Sequence, residues 1–162
     1  MTVFSNYQKL TQKIEHLCNK IHSLYKDHIN CGKGCSKCCI SGLTLVPVEF
    51  DYIKEKIKHK KITPNKTKGA CVLLENGQCQ IYQHRPLVCR TQGLPLLYGE
   101  ELSLCDTNFK NMNGAFCFSA GTLIDMTKVN SVLAAVDLEY VKETGKLASL
   151  KNKRYNIESL IK

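Results

Sequence analysis

Cys31-Gly-Lys-Gly-Cys35-Ser-Lys-Cys38-Cys39 holds four thiols in nine residues, and the rest of the chain is organised around it. Free cysteine is an adequate small core residue, but a core needs apolar neighbours. Here the neighbours are Gly32, Lys33, Gly34, Ser36 and Lys37. Glycines let the backbone bend closely around a bound atom, and lysines favour thiolate over thiol. Spacings of this kind let several sulfurs converge on a soft metal or cluster. A metal or iron–sulfur site explains the stretch better than buried or disulfide-bonded thiols. In a regular helix the four sulfurs would share one face, but Gly32 and Gly34 predict a distorted turn.

Upstream, Ser5-x-x-Gln8 reads as a capping box. Tyr7, Leu10, Ile14, Leu17, Ile21, Leu24 and His28 then recur at spacings of three and four. This predicts a helix over about 6–28 with a narrow apolar seam near the 3.5 period. The seam packs on another helix of the same chain or on a second copy, giving a monomer or a helix-mediated dimer. Cys18 lies beside it as a buried thiol, and His16 and His22 face solvent. Downstream, Leu43 to Val48 is a short apolar run, and Pro47 suits the first turn of a helix reaching about Ile57. Lys54, Lys56, Lys58, Lys60, Lys61, Lys66 and Lys68 follow around Pro64 and Asn65, a solvated helix end and loop. No aromatic residue alternates with these lysines to stack on bases, which argues against a nucleic-acid surface.

Cys71-Val-Leu-Leu-Glu-Asn76-Gly77-Gln-Cys79-Gln-Ile-Tyr82 is a hairpin signal with a type I′ Asn-Gly turn. A two-residue loop pairs Glu75 with Gln78, Leu74 with Cys79 and Cys71 with Tyr82. An ideal ladder puts Cys71 and Cys79 on opposite faces, so either the ladder stops before Cys71 or the two sulfurs serve different centres. Tyr82-x-x-Arg85-Pro86-x-x-Cys89-Arg90 predicts a turn and a short helix. Leu94 to Leu97 and Leu102 to Leu104 predict a second hairpin across Tyr98-Gly99-Glu100-Glu101. Val129, Val132, Leu133, Val136, Tyr140 and Val141 have helical spacing after a Thr127 cap, with Gly145 as the stop. This helix is the natural partner of the first, and Asn156 caps a last short one from Ile157 to Ile161. The fold class is α-rich α+β: a small helical domain with a cysteine-rich metal-binding middle at about 31–109, one or two short β-hairpins, and C-terminal helices over about 127–162.

A chain of 162 residues fits a single domain with its own core. Met1 to Leu10 lacks the apolar segment of a signal peptide, and no run reaches membrane-spanning length. The expected compartment is the cytoplasm, where ten cysteines stay reduced and clustered thiols bind metal more often than each other. The formal charge of +9 counts every thiol as neutral. Eight thiolates on two divalent ions would lower it by four, which weakens the case for nucleic acid further. Only three of the 23 basic residues are arginine, and Arg85 and Arg90 flank Cys89. Planar multidentate donors beside that sulfur would supply hydrogen bonds and charge to thiolate from outside the ligand set.

Cys31, Cys35, Cys38-Cys39, Cys71 and Cys79-x-Ile81-Tyr82-x-x-Arg85-Pro86-x-x-Cys89-Arg90 together resemble the YkgJ-like cysteine-cluster proteins. That family is described as a zinc- or iron-chelating domain of the C-x-x-C-x-x-C-C type. The resemblance covers roughly 31–109, with Cys105 and Asn108-Phe109 as its weaker tail. Two features depart from it: the three-residue gap between Cys31 and Cys35, and Thr91-Gln92-Gly93-Leu94-Pro95 after Arg90. A flagellin lysine methylase carries a related cluster, so the resemblance implies that iron–sulfur occupancy is chemically accessible.

Eight cysteines are the expected metal ligands: Cys31, Cys35, Cys38, Cys39, Cys71, Cys79, Cys89 and Cys105. Cys18 and Cys117 sit in apolar or aromatic settings, Cys117 between Phe116 and Phe118. Adjacent cysteines bind one ion only with strain, so Cys38-Cys39 favours two centres or a polynuclear cluster. The expected cofactor is an iron–sulfur cluster or iron, with zinc as the alternative. Three functions follow: electron or metal transfer to a protein partner, a metalloenzyme with an open metal position (an oxidoreductase or modification enzyme), or a zinc-stabilised interaction module. Cys31-x3-Cys35-x2-Cys38 has radical-SAM spacing, but the chain lacks the length and βα pattern for that barrel. No single thiol, Cys89 near His84 included, stands out as a nucleophile. Chelating the metal is expected to lower the thermal midpoint and alter the near-UV spectrum, because metal binding contributes to folding. An unchanged midpoint and spectrum in the metal-free protein would exclude a structural metal.

Overall fold

The structure is a computed structural model describing residues 2–32, 34–110, 112, 114, 117–150 and 153–161, the side chain of Leu150 aside. Lys33 and Phe116, which entered the sequence argument, lie outside the described residues. The fold is α+β, with the longer helices in the two end regions.

Helix α1 (Ser5–Leu24) buries Tyr7, Leu10, Ile14, Cys18 and Ile21 against α3 (Leu87–Thr91) and α4 (Met126–Glu143). Each fully buried Leu or Ile stabilises by about 1.5–3 kcal/mol, so the seam is satisfied within the chain. It stops at Ile21. A 3₁₀ turn at Lys26–His28 tightens the backbone, so Leu24 stays exposed and Tyr25 turns inward instead. The capping box is not formed. Ser5 is already in the first turn, its N–H donating to the Thr2 carbonyl at 2.9 Å, and no side chain caps this end.

Helix α2 (Pro47–Ile57) starts at Pro47 as the sequence predicts. The Val48 N–H in its first turn donates to Asp137 Oδ1 of α4 at 2.8 Å. Tyr140, one turn further along α4, donates its hydroxyl to Asp51 at 2.6 Å. Helix α4 is capped by Asp125, whose carboxylate accepts from the Lys128 N–H at 2.9 Å. The expected Thr127 cap is displaced, and its hydroxyl accepts from the Gly99 N–H at 3.3 Å. Gly145, at φ +67°, ends the helix with bonds from its own N–H to Lys142 and from Lys146 to Val141.

Strands β2 (Leu74–Glu75) and β3 (Gln78–Cys79) pair in the predicted register, Leu74 with Cys79 and Glu75 with Gln78. Asn76 and Gly77 take φ values of 49° and 73°, the signature of a type I′ turn. Strands β4 (Leu96–Tyr98) and β5 (Glu101–Ser103) form the second hairpin, closing on Gly99-Glu100 rather than on four residues. Strand β6 (Ile124–Asp125) joins β4 in parallel, and β1 (Thr44–Leu45) pairs with β7 (Tyr155–Asn156). Neither of these long-range pairings is visible in local pattern. The last segment, Ile157–Ile161, is a 3₁₀ turn, and Asn156 Oδ1 accepts from the Glu158 N–H at 3.1 Å. Among the described residues no helix is long and apolar enough to cross a membrane.

Glu49 joins the elements beneath the cysteines. It is 4% exposed, and its Oε1 accepts from the Tyr7 hydroxyl at 3.1 Å and the Leu87 N–H at 2.8 Å. One carboxyl oxygen therefore ties α1, α2 and the start of α3. Burial raises the Glu49 carboxyl above its ordinary range, while Leu87, Tyr7, Arg154 and Arg90 oppose the shift. Glu49→Gln keeps an acceptor in this position, so its cost in urea unfolding is expected to stay within about 1 kcal/mol, whereas Glu49→Ala orphans two buried donors and costs about 2–4 kcal/mol. Equal destabilisation by the two variants would show that the bonds are not what holds α3.

Candidate metal centre

Four of the eight candidate ligands, Cys31, Cys35, Cys38 and Cys105, line one cavity of about 210 Å³. They come from the segment after α1 and the segment after β5, more than sixty residues apart in sequence. The Cys31 segment is not helical. Its turns are closed by Cys35 N–H to Gly32 O at 3.0 Å and Cys39 N–H to Ser36 O at 2.9 Å, with Gly34 at φ +93°.

Asn108 holds the two segments together. It is 2% exposed; its Oδ1 accepts from the N–H groups of Asn30 at 2.8 Å and Cys31 at 3.0 Å, and its Nδ2 donates to the Gly93 carbonyl at 2.7 Å. Asn30 in turn donates to the Thr107 carbonyl at 2.9 Å, and Phe109 N–H to the His28 carbonyl at 2.8 Å. Gly93 sits at φ +88°, where a Cβ would lie 3.2 Å from Asn108 Nδ2 and 4.0 Å from Cys31 Sγ. A side chain there would strain the backbone and press on the clamp. The Cys105 thiol lies 2.9 Å from the Thr107 hydroxyl.

The other four, Cys39, Cys71, Cys79 and Cys89, form a second neighbourhood. Cys71 N–H donates to the Cys39 carbonyl at 2.8 Å, and Ile40 bridges to Ala70. The hairpin ladder ends before Cys71, which a turn closed by Leu74 N–H to Cys71 O brings round. Cys71 and Cys79 therefore do not diverge to separate faces as the ideal ladder predicts. Each packs against the smaller hydrophobic cluster, burial raises both thiols, and the charge of Cys71 adds to the rise at Cys79. Cys89 rides on α3.

Electrostatics separates the same two neighbourhoods. Burial first, then Cys35, Cys38 and Cys105, push the Cys31 thiol up to about 11. Burial, then the charges of Cys79, Cys71, Glu49 and Cys38, push Cys89 up to about 12. Cys39 is raised chiefly by its hydrogen bond with Cys38, then by burial and by Cys38, Cys79 and Cys71. That same bond lowers Cys38 to about 6, against the effect of burial. Cys38 thus stands between the two groups. The raised thiols, Cys31, Cys39 and Cys89, stay protonated until a cation replaces their protons. Among the described residues no three His, Cys, Asp or Glu side chains converge closely enough to hold one ion. The donors fit a soft metal in kind and number, and they are spread more widely than one ion's coordination sphere.

A family model described as "CxxCxxCC: Putative zinc- or iron-chelating domain" matches residues 30–117, more than half of the chain. The chain belongs to this family. No curated protein and no solved structure matches the chain. The span of the family match takes in all eight candidate ligands, and Cys117 as well.

The arginines beside Cys89 engage other groups. Arg90 donates to Glu15 Oε2 at 2.7 Å and to the Gln83 carbonyl at 2.9 Å, and its buried Nε has no partner. Arg85 lies 3.6 Å from Glu15 Oε1, donates to the Tyr82 carbonyl at 2.9 Å and stacks 4.0 Å from the Tyr82 ring. Burial raises the Cys79 thiol, and the charge of Arg85 opposes that rise only in part. Among the described residues no guanidinium donates to a sulfur, so both arginines anchor α1 through Glu15. Glu15 and Glu49 carry no motif of their own. Asn108 stands in the weaker tail of the resemblance and Gly93 in the stretch that departs from it, but the sequence assigns neither a role.

Cys18 is 3% exposed, its thiol 3.6 Å from the Arg90 carbonyl and pushed up to about 11 by burial and then Glu15. Cys117 is half-buried against the larger hydrophobic cluster. Cys18→Ala and Cys117→Ala are expected to cost about 1 kcal/mol each and to keep the full metal content. Asn108→Ala is expected to cost about 2–3 kcal/mol through its orphaned partners and to lower the metal content as well. Metal loss in either cysteine variant, or full metal in Asn108→Ala, would show the ligand set or the clamp to be drawn wrongly.

Proposed function

We propose that the chain holds two cysteine centres, Cys31, Cys35, Cys38 and Cys105 at one and Cys39, Cys71, Cys79 and Cys89 at the other, and serves in electron or metal transfer to a protein partner. The observation that carries this proposal is the cavity into which two distant segments deliver four sulfurs. A lone structural zinc needs a closed tetrahedron with Zn–S near ~2.3 Å. The wider spread of these donors supports an iron–sulfur centre, in which bridging sulfide spans the gaps between thiolates. Such a centre would supply one-electron chemistry when bound.

The protein's own part is placement and shielding. Asn108 fixes Cys31 against the Gly93 loop, and Leu94, Leu96 and Leu104 give the cavity apolar lining. Lys37 lines the same cavity. Glu49 holds the helix that carries Cys89.

Iron, zinc and acid-labile sulfide per chain, visible absorption and native thiol counting on anaerobically purified protein test the proposal. The expected result is iron with sulfide, broad visible absorption, and none of the eight thiols titrating freely. One metal atom per chain with four or more reactive cysteines would end the two-centre reading, and zinc without sulfide would replace iron–sulfur at both.

A further inference from the structure

The basic segment after α2 is sewn to the first hairpin. Gln80, just past β3, accepts at Oε1 from the Thr63 N–H at 2.9 Å and donates from Nε2 to the Thr63 carbonyl at 2.7 Å. The Asn65 N–H donates to the Val72 carbonyl at 2.8 Å, and Lys60 Nζ donates to the Gln80 carbonyl. These bonds hold residues 60–65 along the hairpin and leave a groove of about 430 Å³, with Lys60, Lys61, Glu75, Gln78, Cys79 and Gln80 on its walls. No aliphatic or aromatic side chain among the described residues lines it. Small-molecule sites are mostly apolar, so this groove suits the polar contacts of a protein interface instead. The hairpin tip also reaches the first cysteine group, since a Cβ on Gly77 would lie 3.5 Å from Gly34 Cα.

The charge of the groove is not neutralised from within. Lys60 and Lys61 are exposed, and among the described residues neither forms an ion pair, nor do Lys54, Lys56, Lys66 or Lys68. Such a field draws in anionic partners. Glu75 narrows the choice. An unbroken phosphate chain would meet its repulsion, and would find no arginine on these walls to grip phosphate with two bonds. A peptide that spaces its carboxylates meets neither difficulty. We infer that this groove docks an acidic segment of a partner protein, whose carboxylates meet Lys60 and Lys61 beside Cys79. This rests on the reading of the chain as a transfer protein and names the chemistry of its partner. Charge complementarity speeds encounter more than it tightens a complex, as suits a partner that must leave again.

The test is fluorescence anisotropy of a labelled peptide of four Glu-Gly repeats with the protein as purified, metal content being measured on the same sample. The peptide should bind at about 20 mM salt and be largely released at about 200 mM. Lys60→Gln/Lys61→Gln, which keeps an N–H donor for the Gln80 carbonyl, should weaken it about five- to tenfold. Lys66→Gln/Lys68→Gln removes the same charge outside the groove and should weaken it less than twofold, and Glu75→Gln should tighten it. Equal losses in the two double variants would reduce the effect to net charge and overturn the docking groove. So would tighter binding of oligothymidylate or of phosphatidylserine vesicles than of the peptide, or no binding of the peptide at low salt. Absence of metal from the purified protein would overturn the transfer reading instead, and the double variants would still decide the groove.

Discussion

Asn108 makes three hydrogen bonds from a nearly inaccessible position, to Asn30, Cys31 and Gly93, and the cavity between the cysteines exists because of them. Among its described residues the segment from Cys31 to Cys39 has no helix or strand to fix it. Its backbone donors and acceptors still need partners where they are shielded from water. A primary amide can accept twice and donate twice, so one side chain serves three separate stretches of loop. The left-handed conformation at Phe109 follows from the same demand, because that turn lets Phe109 N–H reach His28 while Asn108 points inward.

The helices form the platform to which these loops are tied. Glu49 fastens α3 to α1 and α2, and Asp137 fastens α2 to α4. Glu15 receives both arginines that flank Cys89. These carboxylates lie beneath or beside the sulfurs without touching them. Their placement resembles the supporting shell of a metal site, where groups that hold the ligands matter nearly as much as the ligands. A cysteine cluster held only by loops would collapse or spread once its metal left. Here the helical platform sets the distance between the two halves of the site.

Cys38 and Cys39 give the site its asymmetry. Cys38 lines the cavity with Cys31, Cys35 and Cys105, and Cys39 is raised by its bond with Cys38, by burial, and then by the charges of Cys38, Cys79 and Cys71. Their mutual hydrogen bond shifts their acidities in opposite directions, so the pair does not behave as two equivalent thiols. The two neighbourhoods meet at adjacent residues whose acidities are linked.

Local chemistry was enough for much of this. Asn76-Gly77 dictates a type I′ turn and with it the register of β2 and β3, because few other dipeptides accept positive φ at both positions. Pro47 starts α2 and Gly145 ends α4 for equally local reasons. The apolar seam of α1 and the cysteine spacings are likewise legible, and the family follows from the latter. Tertiary structure decided the rest. Whether Cys71 joins Cys79 or opposes it depends on where the ladder stops, and contact with Cys39 settles that. Arg85 and Arg90 look like partners for sulfur until α1 brings Glu15 within reach, and an ion pair with a carboxylate is the stronger claim on a guanidinium. Asp125 takes the cap from Thr127 because parallel pairing of β6 with β4 sets where the helix begins. The division of the cysteines into two neighbourhoods, and the cavity that one of them shares with Lys37 and Asp106, arise from segments that only the packed chain brings together.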